Sequence, residues 1–194
     1  MKQIFLSTLA ALLLSLGCAA AEPTETEQRI RQNAQKQPLS SIVFMDVKVL
    51  EEGKDRFCET SVTVASDQGY GTILFSRKAS GFFGHPDTGA IAFLPPGTYT
   101  IFSVQCKYTA RLNGKFARFR VGPNEIINAG SLVIDFTKGP MTFFEPRTFA
   151  GRTSVEDLGA KAIESITERT PTIFPKATKR YMTPNPVTSG KRPS

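Results

Sequence analysis

One histidine, three cysteines and a late run of lysines and arginines are the residues here that could do chemistry. His85 lies in FFGHPDTG with Asp87 two positions on, the pairing in which a carboxylate orients an imidazole as a general base. A base needs a nucleophile or a metal to act on. No Gly-x-Ser-x-Gly elbow is present. A zinc site draws three or four nitrogen or sulfur ligands, and a second histidine is lacking. The carboxylates are dispersed, not gathered into a calcium-type loop. The sequence therefore predicts a non-catalytic protein with no cofactor and no metal. A hydrolase using His85 ranks third among the functional readings.

Cys18, Cys58 and Cys106 belong to a different argument. MKQIFLSTLAALLLSLGCAAAEP carries a positive Lys2, an apolar run from Ile4 to Leu16 and then small residues. That is the layout of a secretory leader. The run is shorter than the roughly 20 apolar residues a membrane helix needs, so the mature chain is expected to have no transmembrane helix. Two cleavage readings stand. Ala19-Ala20-Ala21 before Glu22 suits an ordinary signal peptidase. Leu14-Ser15-Leu16-Gly17-Cys18 resembles a lipobox, with Ser15 where leucine is usual, and would make Cys18 a lipidated first residue. Either way Cys18 leaves the thiol pool, and Cys58 and Cys106 remain as a pair in an oxidising compartment. Both fall in strand-like runs, Cys58 sharing a pleat face with Val62 and Val64, Cys106 with Phe102 and Val104. A bridge between them would close a loop of about 48 residues and stabilise by roughly 4 kcal/mol.

The formal charge of +7 is unevenly spread. Residues 38–137 hold ten Lys or Arg against nine Asp or Glu, which argues against a basic face on the globular part. Residues 170–194 hold five cations, Lys176, Lys179, Arg180, Lys191 and Arg192, and no acid. They are the candidate contacts to an anionic envelope surface: lipid, lipopolysaccharide or peptidoglycan. Nucleic acid is disfavoured, because no aromatic stacking platform accompanies these charges.

The elements that must position these residues are mainly strands. IVFMDVKVL alternates, with Val43, Met45, Val47 and Val49 on one face and Asp46 and Lys48 on the other. FCETSVTVA, TILFSR, AIAFL, TYTIFSVQCKY, KFARFRV and IINAGSLVIDF follow, separated by turn signals. In KFARFRV, Arg118 and Arg120 point outward. Pro95 and Pro96 end one strand, and the adjacent Ile101 and Phe102 require either burial on both faces or a β-bulge. About seven short strands predict an antiparallel β-sandwich. SVEDLGAKAIESITERT predicts a helix capped by Ser154, with Val155, Leu158, Ala162, Ile163 and Ile166 as its apolar stripe.

The expected organisation is a signal peptide over 1–21, a polar tether over 22–38, a β-sandwich over 39–150, a C-terminal helix over 151–170 and a disordered, basic Pro/Thr-rich tail over 171–194.

LPPGTYTI and FRVGPNEIINAGSLVI, with Pro95, Pro96, Gly97, Tyr99, Gly122, Glu125 and Gly130, resemble the recurring segments of transthyretin-like or carboxypeptidase-regulatory-like sandwich modules. They resemble in particular those of uncharacterised Gram-negative envelope proteins with a PPGxY turn. The resemblance spans about a quarter of the chain and implies a transthyretin/immunoglobulin-like fold and no catalytic residues. The leading expectation is an exported binding, adaptor or structural module, periplasmic or outer-membrane-anchored. The alternative is an accessory subunit of an envelope or secretion assembly, docking through its C-terminal helix and tail onto other envelope proteins.

Overall fold

The computed structural model describes residues 22–55, 60–66, 69–71, 89–106, 110–138, 148–185 and 187–191. Cys18, Cys58, His85, Asp87 and Arg192 lie outside the described residues.

Among those residues two sheets face each other. The larger runs β12 (Val187–Lys191), β9 (Thr148–Glu156), β8 (Ile126–Lys138), β1 (Ser41–Glu51), β2 (Lys54–Asp55), with β5 (Ala90–Leu94) also along β1 and β10 (Thr178–Lys179) along β8. The smaller runs β11 (Thr183–Pro184), β7 (Ala110–Val121), β6 (Gly97–Cys106), β3 (Thr60–Ser66), β4 (Gly69–Gly71). The protein is a mainly β sandwich with a C-terminal helix, as expected.

Most pairs are antiparallel, but β1 and β8, at the centre of the larger sheet, run parallel, as does the short β10 along β8. Parallel strands need a long crossover, and here the second sheet supplies it. Parallel strands are also covered on both faces. Val43, Met45, Val47 and Val49 enter the core between the sheets as predicted. Phe44 and Asp46, on the opposite face, are buried too. Asp46, expected at the surface, is thus covered.

What covers this outer face is α2 (Ala160–Arg169) and a 3₁₀ turn (Phe174–Lys176). Leu158, Ala162 and Ile166 close on Phe44, with Ile42, Ile91, Ile126, Ile173 and Phe174 around them. Phe174 meets Phe44 edge-to-face, ring centroids 5.0 Å apart. The predicted helix start is corrected: the cap moves from Ser154 to Gly159. Ser154 belongs to β9, opposite Val133 of β8, and Gly159 holds the N-cap position. The ladder to β8 outweighs the capping signal. Val155 packs on the main core instead of a helical stripe, and Ile163 is 41% exposed.

The region expected as a loose tether is α1 (Glu25–Lys36). Thr24 caps it by accepting from the Glu27 amide, and its hydroxyl donates to the Arg169 carbonyl at the end of α2. The Glu27 side chain is fully buried, and its Oε1 accepts from the Thr172 amide at 2.7 Å and the Thr172 hydroxyl at 2.9 Å. Ile30 adds one buried apolar contact.

The tail is corrected most. β10 pairs with β8, β11 with β7 and β12 with β9, so residues 178–191 stitch one sheet to the other. Met182, between β10 and β11, sits in the main core.

Candidate functional site: an arginine face on the second sheet

The tail cations whose side chains are described, Lys176, Lys179 and Arg180, do not converge. Lys176 is exposed on the 3₁₀ turn. Lys179 Nζ lies 3.0 Å from Asp157 Oδ2, and the Tyr181 hydroxyl donates to Oδ1 of the same carboxylate. Those two contacts, Tyr181 first, hold the Asp157 carboxyl below its ordinary range. Arg180 clamps Glu125 with both guanidinium nitrogens, at 2.7 and 2.9 Å. Lys191 ends β12, opposite Thr148. Lys179 and Arg180 are therefore occupied by acids within the chain.

Glu125 belongs to a turn the sequence had marked. Its Oε2 accepts from the Gly122 amide at 2.7 Å. Its own amide donates to Ser41 Oγ, which donates in turn to the Gly122 carbonyl. Asn124 takes a left-handed φ of 55°, which asparagine tolerates. Arg180 and then the Gly122 amide pull the Glu125 carboxyl below its usual value, with a weaker pull from Arg120. A folded-state value held low contributes stability that is present above the unfolded value, near 4.5, and is lost as pH falls through the folded one. Both side chains remain partly open to water, so the pair is worth on the order of 1 kcal/mol. Glu125→Gln is expected to cost on the order of 1 kcal/mol at pH 8, where the carboxylate is charged, and little once pH has fallen below the folded value, so that the acid limb of a urea-stability profile flattens. An unchanged limb would count against this latch.

The PPGTY turn is also structural. β5 ends at Leu94 in the larger sheet and β6 begins at Gly97 in the smaller, so the two prolines turn the chain between layers. Tyr99 donates its hydroxyl to the Pro95 carbonyl at 2.7 Å and stacks on Phe119, centroids 5.4 Å apart. Burial pushes its phenol above the ordinary value. The doubled apolar signal at Ile101–Phe102 is a bulge, since Thr63 and Val64 of β3 face Ser103 and Ile101, which leaves Phe102 as one extra residue on β6. Cys106 ends β6 opposite Thr60, two residues after Cys58 in the chain.

The surface that sequence reasoning missed is the outer face of the smaller sheet. Its five strands contain no Asp or Glu, while β7 alone carries Arg111, Lys115, Arg118 and Arg120. The larger sheet mixes signs, with Asp46, Glu51, Asp55, Asp135 and Glu156 among its lysines and Arg152. On β7, Phe116, Ala117, Phe119 and Val121 face the core, leaving Arg118 and Arg120 exposed. Thr183, Arg118 and Thr100 stand in one row across β11, β7 and β6, and Arg120 faces Thr98 in the next. Rows of this kind are spaced about 4.8 Å across strands and about 6.8 Å along them. Among the described residues neither arginine has an ion-pair partner, and Glu125, whose carboxyl feels Arg120, is held by Arg180. The near-balance of charge over residues 38–137 had argued against a basic face. That average hid a separation by sheet. The one available signal was the Arg-x-Arg alternation in KFARFRV.

No protein-family model matches the chain, and no curated protein matches it either.

Proposed function

We propose that the chain is an exported, non-catalytic module of the bacterial envelope, periplasmic or outer-membrane-anchored, that binds or bridges envelope components. The observation that carries this reading is where the described part of the fold begins. Its first helix starts at Glu25, and Thr24 and Glu27 fasten it to the end of α2 and to Thr172. Cleavage after Ala21 or before Cys18 would thus remove the leader and leave every described contact in place. Export also supports the Cys58–Cys106 bridge. The register puts Thr60 beside Cys106, and two residues of chain, about 7 Å at most, separate Thr60 from Cys58. No helix among the described residues is long and apolar enough to cross a membrane.

Docking through the C-terminal helix and tail, as an accessory subunit would use them, draws less support. The apolar side of α2 is spent on Phe44, and the tail pairs with three strands. The expected result of intact-mass measurement on chain recovered from cell envelopes is loss of residues 1–17 or 1–21, with acyl chains in the first case. A further deficit of two hydrogen atoms, abolished by reductant, is expected from the bridge. A full-length, fully reduced chain would remove the reading.

A further inference from the structure

We propose that the outer face of the smaller sheet is a docking surface for an anionic carbohydrate polymer, gripped by Arg118 and Arg120 and by the hydroxyls of Thr98, Thr100 and Thr183. The inference adds a partner to the envelope reading and rests on it only for where such a polymer is met. Charge carries it. The strands of this sheet have cations and no acids, and its two described exposed arginines are unpaired. A guanidinium forks onto a carboxylate or phosphate through two parallel hydrogen bonds, so paired arginines suit a ligand with repeated anionic groups. The second feature is repetition. Residues two apart on β7 present the same face, and each arginine lies across from a threonine on β6. Hydroxyls alternating with guanidinium groups suit a chain of sugar oxygens alternating with anionic groups.

The third feature is what the face lacks. The large apolar side chains exposed among the described residues are Leu39, before β1, Ile163, on α2, and Tyr181, between β10 and β11. None of these three lies on this sheet, so among the described side chains the face presents arginines and threonines and no large, fully exposed apolar group to an acyl layer. A hydrated polymer fits it better than a lipid surface.

The test uses the chain purified in its cellular form, immobilised, with polygalacturonate as the polymer probe. Vesicles of mixed phosphatidylglycerol and phosphatidylcholine form the second arm. Wild type is expected to bind the polymer in a salt-sensitive manner and to bind the vesicles more weakly. Arg118→Gln/Arg120→Gln is expected to weaken polymer binding by about 10- to 30-fold, the size of a two-cation loss at an anionic surface. Arg152→Gln, which removes an exposed cation from the larger sheet, is expected to leave it unchanged. Equal thermal midpoints for the three chains keep folding out of the comparison. Equal binding by the double variant and wild type, an equal loss in Arg152→Gln, or a preference for the vesicles would each overturn the proposal. Because the assay is made on purified chain, a failed export reading leaves it standing, and its own failure leaves export untouched.

Discussion

Removal of residues 178–194 is expected to abolish cooperative folding, although composition marks this segment as a solvated tail. Three ladders are lost at once, β10 on β8, β11 on β7 and β12 on β9. So are the bridging bonds from the Arg180 amide to the Asn128 carbonyl, from the Met182 amide to the Ala129 carbonyl and from the Asn185 amide to the Phe116 carbonyl. Each such bond contributes about 1 kcal/mol net, and a carbonyl left buried without a partner costs more. Met182 is 3% exposed among core side chains, and truncating a buried methionine to alanine costs about 2–5 kcal/mol. The Arg180 clamp on Glu125 and the Thr153 hydroxyl bond to the Asn185 carbonyl go as well. The combined loss reaches the roughly 5–15 kcal/mol that is the whole stability of an ordinary domain. Urea titration and dye binding to exposed apolar surface would read it. Met182→Ala alone, expected to lower the midpoint while leaving the transition cooperative, separates the packing loss from the lost ladders. A truncated chain with an unchanged midpoint would show that the tail is dispensable. It follows that tail deletion is a poor way to look for partners, since it would remove the fold along with any contact.

What could be read from the sequence was whatever local sterics decide. The alternation in IVFMDVKVL put Val43, Met45, Val47 and Val49 in the core, and the prolines at 95 and 96 broke β5 from β6. The apolar doublet at 101 and 102 marked a bulge that is there, against β3. Each of these follows from pleat parity or from a missing amide hydrogen. What escaped depends on contacts far along the chain. α1 was missed because its anchors are polar: Thr24 and Glu27 meet Arg169 and Thr172, and a test for an apolar stripe sees Ile30 alone. The tail was missed because strand pairing uses main-chain groups that every residue except proline shares. A Pro- and Thr-rich composition therefore describes the chain's local freedom and says little about an edge waiting for it. Ser154 failed as a cap because the edge of β8 needed β9. The arginine face escaped for a related reason. Charge counted along the chain averages over two sheets, and only the topology sorts Arg118 and Arg120 from the acids of the other layer.

The second large effect is expected at Gly130, where β8 changes the face it turns inward. Ile127 and Ala129 point into the core, and so do Leu132, Ile134 and Phe136, which is a switch from odd to even positions. One extra residue makes that switch. Between Phe44 and Asp46 of β1 the partners on β8 jump from Asn128 to Ser131. Gly130 absorbs the jump at a φ of 81°, and its amide donates to Asn128 Oδ1. A β-carbon there would lie 2.6 Å from the Glu156 carbonyl of β9, with Tyr181 and Val155 at 3.1 and 3.2 Å. The carbonyl is backbone in a paired strand and cannot swing aside. Gly53 has a similar φ of 76° and open space around it. The two glycines therefore separate conformation from contact. Gly53→Ala is expected to cost about 1–2 kcal/mol, the left-handed penalty alone. Gly130→Ala is expected to cost about 3 kcal/mol or more, because β8 or β9 must move for the methyl to fit. Equal losses in urea titration would mean that β9 yields freely and that the bulge is held by dihedral preference. A larger loss at Gly130 means that the parity switch, and with it the seating of Leu132, Ile134 and Phe136, depends on one hydrogen atom standing where a side chain would be.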